Sequence, residues 1–143
     1  MILLGLSRAG KTTVGQRLAE RLGCSFYDTD ELIRIRTGLT PRQLCRQADL
    51  LALHTAEAAA LRDCCGLDFA AGIEEKTISA VIAAGGGICD NAEASVTIAA
   101  IPQRVFLYAE EAALFERLTH DALQTGYYPA FLRFLPVTQK AEA

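Results

Sequence analysis

The chain has 143 residues, 51% of them hydrophobic and 22% charged, enough to bury a real core in a single compact domain. A formal net charge of −3 argues against obligatory nucleic-acid binding, which leaves a clear basic excess. Five cysteines, an odd number without C-x-x-C spacing and with Cys64 beside Cys65, suggest neither a disulfide framework nor a zinc site and fit a reducing cytosol.

No apolar run reaches the length of a membrane span, and with the opening residues taken up by the phosphate loop neither a signal peptide nor an anchor is expected. Apolar Met1-Ile2-Leu3-Leu4 predicts a buried strand. Gly5-Leu6-Ser7-Arg8-Ala9-Gly10-Lys11-Thr12 follows at once and fits the phosphate-binding pattern G-x-x-x-x-G-K-[ST]. In that pattern backbone N–H groups curl around a polyphosphate, the lysine meets β- and γ-phosphate oxygens, and the hydroxyl takes a place on Mg²⁺. Ser7, Arg8, Ala9, Gly10, Lys11, Thr12 and Thr13 are the expected ATP-binding set. A helix from about Lys11 to Leu22, with Val14, Leu18 and Leu22 as an i, i+4, i+8 stripe and Gly23 as its cap, supplies the strand–loop–helix setting.

Ser25-Phe26-Tyr27 predicts a second strand ending at Asp28-Thr29-Asp30, and Glu31 to Arg36 a helix closed by Thr37-Gly38. In an open parallel sheet ligands bind at the carboxyl ends of strands. One aspartate can hold Mg²⁺ directly or through water while the other accepts a hydroxyl proton; alternatively, one of them caps the helix. Thr40-Pro41 opens a further helix. The alanine-rich stretch from Asp49 to about Arg62 predicts another, with Leu50, His54, Glu57 and Leu61 on one face. His54 with Glu57 could face a substrate or could be a surface pair.

Cys65 to Thr77 reads as a loop with a solvated charge cluster at Glu74-Glu75-Lys76. Ile78 to Ala84 is an unalternating apolar run, expected as a strand covered on both faces. Gly85-Gly86-Gly87 ends it as a bare backbone a ligand can approach, or as a plain turn. Asp90-Asn91 caps a helix to about Ala100, Arg104 to Tyr108 is a strand, and Glu110 to about Leu123 a helix. Strands alternating with helices predict an α/β fold in three layers, a parallel sheet with helices on both faces.

Taken in order, G-L-S-R-A-G-K-T-T-V-G from Gly5 to Gly15, D-T-D from Asp28 to Asp30 and A-A-G-G-G from Ala83 to Gly87 resemble the shikimate kinase family from about Met1 to Arg133. The resemblance implies a P-loop NTPase-type fold with strand order 2-3-1-4-5, and transfer of the ATP γ-phosphoryl group to the 3-hydroxyl of shikimate. It implies that Lys11 steadies the transferring phosphate, Thr12 ligates Mg²⁺ and Asp28 acts on Mg²⁺ through water. Asp30 would hold and polarise the substrate hydroxyl. Gly85, Gly86 and Gly87 would meet the substrate through their backbone, and Arg117 would pack near adenine. On this reading residues 1–143 form one kinase domain with substrate-binding helices at about 29–62 and a lid remnant at about 124–135, and the protein is a cytoplasmic monomer that binds ATP and shikimate, with no nucleic-acid or membrane partner.

The chain departs from the family pattern in two places. Leu53-His54 ahead of Glu57 stands where the family has Phe-Arg, so a bidentate carboxylate clamp becomes a single titratable donor. Beyond Thr125–Leu132 the family's arginine-rich helix, last strand and last helix have no counterpart, and Arg133 is the candidate for a lid arginine. A kinase for a gluconate-like sugar acid or a nucleoside monophosphate, with Arg34, Arg36, Arg42 and Arg46 available for a phosphate, and a non-catalytic nucleotide-binding module are the alternatives.

Overall fold

The apolar runs pair into a parallel sheet with helices packed on both faces. A computed structural model of the chain describes residues 1–47, 49–69 and 78–125. In chain order the elements are β1 (Ile2–Leu4), α1 (Lys11–Leu22), β2 (Ser25–Asp28), α2 (Thr29–Thr37), α3 (Pro41–Gln47), α4 (Leu50–Phe69), β3 (Ala80–Ala83), a 3-10 turn (Ile88–Asp90), α5 (Ala92–Ala100), β4 (Arg104–Phe106) and α6 (Glu111–Thr125). All strand pairs are parallel, in the order β2-β3-β1-β4. This is the expected order without its last strand; among the described residues the sheet ends at β4. The chain divides into two compact units, Met1–Leu107 and Tyr108–Ala143, and α6 lies in the second.

Alternate side chains of β1 point to opposite faces of the sheet. Ile2 joins Ile82, Leu61, Ile88 and Ile98 in the core beneath α4 and α5, whereas Leu3 packs with Val81 and Ala19 on the α1 side. Ile33, Leu44 and Ala60 bind α2, α3 and α4 together in a third cluster. Each buried Ile or Leu contributes about 1.5–3 kcal/mol relative to an exposed one, so this cluster holds the three helices to one another.

Three local expectations change. The α1 stripe holds only in part: Leu18 packs on the core as expected, but Val14 is 42% and Leu22 45% exposed, while Lys11, Gly15 and Ala19 face inward. The helix must turn its first residue into the phosphate loop, and small side chains at Gly15 and Ala19 let it lie close against Phe26 and Leu3. Secondly, α4 continues to Phe69 through the stretch from Cys65 expected as loop, because buried Cys64 and half-buried Cys65 still pack on the core. Thirdly, Leu50 does not share the buried face of Glu57 and Leu61; it is 57% exposed at the helix's first position, where its side chain projects past the core. The charge cluster at 74–76 and Arg133 lie outside the described residues, as does the lid segment apart from its first two positions.

A Cβ on Gly15 would lie 2.6 Å from Phe26 Cε2 and 3.3 Å from Leu3 Cδ1. Gly15→Val is therefore expected to destabilise the protein by about 1–3 kcal/mol through overpacking, read as a lower urea midpoint with an unchanged m-value.

Candidate active site

The turn from β1 into α1 is built around a buried ammonium. Lys11 Nζ donates to the carbonyl oxygens of Gly5 and Leu6, both at 2.8 Å, and so closes the loop on itself. Ala9 N–H donates to Leu6 O at 3.2 Å. Arg8 (φ 67°) and Gly10 (φ 95°) are left-handed, the alternation that turns successive N–H groups into an anion-binding concavity at a helix N-terminus. Burial lowers the Lys11 pKa below the usual ammonium value, opposed by the charges of Asp30, Asp28 and Cys89.

The end of β2 faces this loop. Thr12 Oγ1 donates to Asp28 Oδ2 at 2.7 Å. Asp28 Oδ1 accepts from the Asp30 backbone N–H at 3.0 Å, so Asp28 is both the cap of α2 and the partner of the loop hydroxyl. The two readings weighed for this aspartate are not exclusive. Thr12 and Asp28 form a hard oxygen pair suited to Mg²⁺.

Asp30 is an exposed residue, but its carboxyl oxygen is turned against Gly85, and its pKa is raised to about 6. Desolvation is the first cause and Asp28 the second; Lys11 opposes them, Glu57 adds to the rise, and Arg42 opposes it weakly. Of the two carboxylates, one is held by two donors and the other is poised to take a proton.

The glycine segment after β3 completes the wall. Gly85 N–H donates to Thr29 Oγ1 at 2.9 Å, and a Cβ there would lie 2.6 Å from Asp30 Oδ1. A Cβ on Gly86 would lie 2.7 Å from Ser7 N and 2.4 Å from Ser7 Oγ, so only a bare backbone fits against the phosphate loop. Gly87 is exposed and its Cβ position is open. The structure thus brings Ser7, Lys11, Thr12, Asp28, Asp30, Gly85 and Gly86 together.

His54 is half-buried on α4, one turn before buried Glu57. Its carbonyl accepts from Asn91 Nδ2 at 2.7 Å, and Glu57 Oε2 accepts from the same nitrogen at 3.1 Å. Arg117 is exposed on α6 in the second unit. Sequence reasoning did not single out Thr29, the middle residue of D-T-D, whose hydroxyl ties β3 to α2. Asn91 was visible only as a helix cap.

A parallel α/β sheet carrying a phosphate loop at the carboxyl end of its first strand defines a P-loop NTPase-type protein. The family model for shikimate kinase matches residues 8–126, and the chain belongs to the shikimate kinase family. It is similar to the shikimate kinase of Chromobacterium violaceum, 34% identical over 119 residues that make up 83% of this chain and 59% of that protein. With the shikimate kinase of Syntrophus aciditrophicus it shares 30% identity over 131 residues, 92% of this chain and 62% of the relative. Among solved structures, shikimate kinase from Acinetobacter baumannii in complex with shikimate superposes with a TM-score of 0.71 at 29% identity, covering 84% of this chain and 62% of that one. The chain therefore spans about three fifths of the length of these relatives.

Because the folded state holds the Asp30 proton up to about pH 6 and the unfolded chain releases it near pH 4, the native state binds more protons between these values. Stability from this group falls as pH rises through that window. Asp30→Asn is expected to leave the melting temperature nearly unchanged at pH 4 and to raise it at pH 7.5, measured by thermal unfolding across the range.

Proposed function

We propose that the protein transfers the γ-phosphoryl group of ATP to the 3-hydroxyl of shikimate. The observation that carries this reading is the convergence of Lys11, the Thr12–Asp28 pair and the raised carboxyl of Asp30 on one rim of the sheet, in a chain whose family model is shikimate kinase. The A. baumannii relative was solved with shikimate, which supports the acceptor.

In this reading the loop N–H groups and Lys11 take the polyphosphate, the ammonium exchanging its carbonyl partners for phosphate oxygens. Thr12 would ligate Mg²⁺ and Asp28 would act on it through water, and the ion would supply charge neutralisation of the phosphates. Asp30 accepts the proton of the 3-hydroxyl as that oxygen bonds to the γ-phosphorus and the bond to the ADP oxygen breaks. Gly85, Gly86 and Gly87 orient the acceptor through their backbone, and His54 meets its carboxylate. Arg117 packs on adenine and Arg133 serves the lid. The reading carries with it a single kinase domain, a cytosolic setting and a monomer; among the described residues no helix is long and apolar enough to cross a membrane.

A phosphorylated acceptor such as a nucleoside monophosphate is disfavoured, since two of the four arginines considered for it are engaged elsewhere. Arg34 pairs with Glu31 at 2.5 Å and Arg36 with Asp63 at 2.6 Å. A coupled ADP-release assay tests the acceptor directly: turnover is expected with shikimate and not with gluconate or nucleoside monophosphates, and the reverse outcome removes the proposal.

Mg-ATP at about 100 Kd should stabilise the fold by roughly 2.7 kcal/mol, visible as a raised melting temperature, and Lys11→Ala should abolish most of that shift. With shikimate as acceptor, Asp30→Asn is expected to lower kcat about a hundredfold while leaving the KM for ATP nearly intact. In the unsubstituted protein kcat/KM should rise with pH through about 6, as Asp30 ionises, and flatten above it.

A further inference from the structure

Asn91 is a buried amide that the phosphoryl-transfer machinery does not use. Its side chain is fully engaged and only 2% of its surface is exposed. Oδ1 accepts from the Ala94 N–H at 3.1 Å and caps α5. Nδ2 donates both to the His54 carbonyl at 2.7 Å and to Glu57 Oε2 at 3.1 Å. A helix cap needs only the oxygen, so the two bonds from the nitrogen have another consequence. They fasten the His54–Glu57 turn of α4 to the end of the segment that begins with Gly85, Gly86 and Gly87.

Asn91 lies directly after the 3-10 turn Ile88–Asp90, and Gly85 and Gly86 pack against Asp30 and Ser7. One amide therefore links the α4 wall of the acceptor pocket to the wall that abuts the phosphate loop. Glu57 is 6% exposed and its carboxylate depends on this donor, because a buried carboxylate without a hydrogen bond is costly.

We propose that Asn91 is a positioning residue for the acceptor side of the site, holding Glu57 and the turn carrying His54 in register with the glycine segment. This rests on the reading of the protein as a shikimate-phosphorylating enzyme. Its consequence is selective. Loss of the two Nδ2 bonds loosens the acceptor wall and leaves the phosphate loop, closed by Lys11, intact.

The test compares Asn91→Ser, Asn91→Asp, Glu57→Gln and the Asn91→Asp/Glu57→Gln double variant, measuring the KM for shikimate, the KM for ATP, kcat and the melting temperature for each. Both single changes at Asn91 keep an oxygen for the α5 cap; Asn91→Asp removes both donors and sets a second carboxylate beside Glu57, and Asn91→Ser replaces the two-donor amide by a shorter hydroxyl with a single O–H that cannot serve both His54 O and Glu57. The expected result is a rise of about tenfold or more in the KM for shikimate, the scale of one hydrogen bond to a charged group, with the KM for ATP within about twofold. In the double variant the new amide can donate to the new carboxylate, and the KM for shikimate should fall below the value expected from multiplying the single effects. A lowered melting temperature with an unchanged shikimate KM, or equal rises in both KM values, would show a merely structural cap and overturn the proposal. Should Asn91→Ser fail to fold, the cycle formed by the other three variants gives the same readout. If the unsubstituted protein does not phosphorylate shikimate, the functional reading itself has failed, an outcome distinct from normal turnover that is insensitive to Asn91.

Discussion

The buried ammonium of Lys11 is the constraint on which the rest of the site depends. A charged group taken out of water must be compensated, and two loop carbonyls do this at 2.8 Å each. The same bonds require the backbone to turn back on itself between β1 and α1, with left-handed conformations at Arg8 and Gly10. They also require the first residue of α1 to face inward, which sets the rotation of the whole helix. Gly15 and Ala19 fall toward the sheet as a consequence, and bulkier Val14 and Leu22 fall outward.

The ammonium also organises the carboxylates around it. Asp28 and Asp30 both act on Lys11, and Lys11 acts back on Asp30, but their surroundings differ. Asp28 accepts from a hydroxyl and from a backbone N–H, whereas desolvation and, second, the neighbouring charge of Asp28 disfavour ionisation of Asp30. Two residues apart on one turn, the same side chain is given two environments, the arrangement by which neighbouring acids acquire separate tasks.

What was legible in the sequence followed the strength of each local signal. The parallel sheet and the phosphate loop were readable because unalternating apolar runs and a spaced glycine–lysine motif admit few other arrangements, whereas the strand order followed only from the resemblance to the shikimate kinase family. The inward face of α1 was only partly read, with Leu18 placed correctly and Val14 and Leu22 not, because hydrophobicity was used to find it, while close helix–sheet contact at Gly15 is a matter of size. The end of α4 was misplaced because Gly66, polar neighbours and two cysteines resemble a loop in composition; packing of Cys64 and Cys65 against the central core decides otherwise. Asp28 was readable as a cap or as a ligand, and local spacing could not show that the capping carboxylate also accepts from the phosphate-loop hydroxyl, since that contact depends on Thr12, sixteen residues away.

Long-range contacts of this kind are concentrated where β3 ends. Gly85 bonds to Thr29 of α2, Gly86 lies against Ser7 of the phosphate loop, and Asn91 holds α4. A seven-residue segment thereby touches α2, the phosphate loop and α4. None of these contacts depends on a large side chain; each uses backbone or a small polar group whose partner is distant in sequence. Glycine at 85 and 86 is needed because any Cβ would enter space already taken by Asp30 or Ser7, and the bare backbone transmits the position of one wall to the next without compressible side chains between them. The phosphate loop, α2 and α4 are thus joined through one short stretch of main chain, and under the proposed phosphoryl transfer that connection would help to hold donor and acceptor atoms in line.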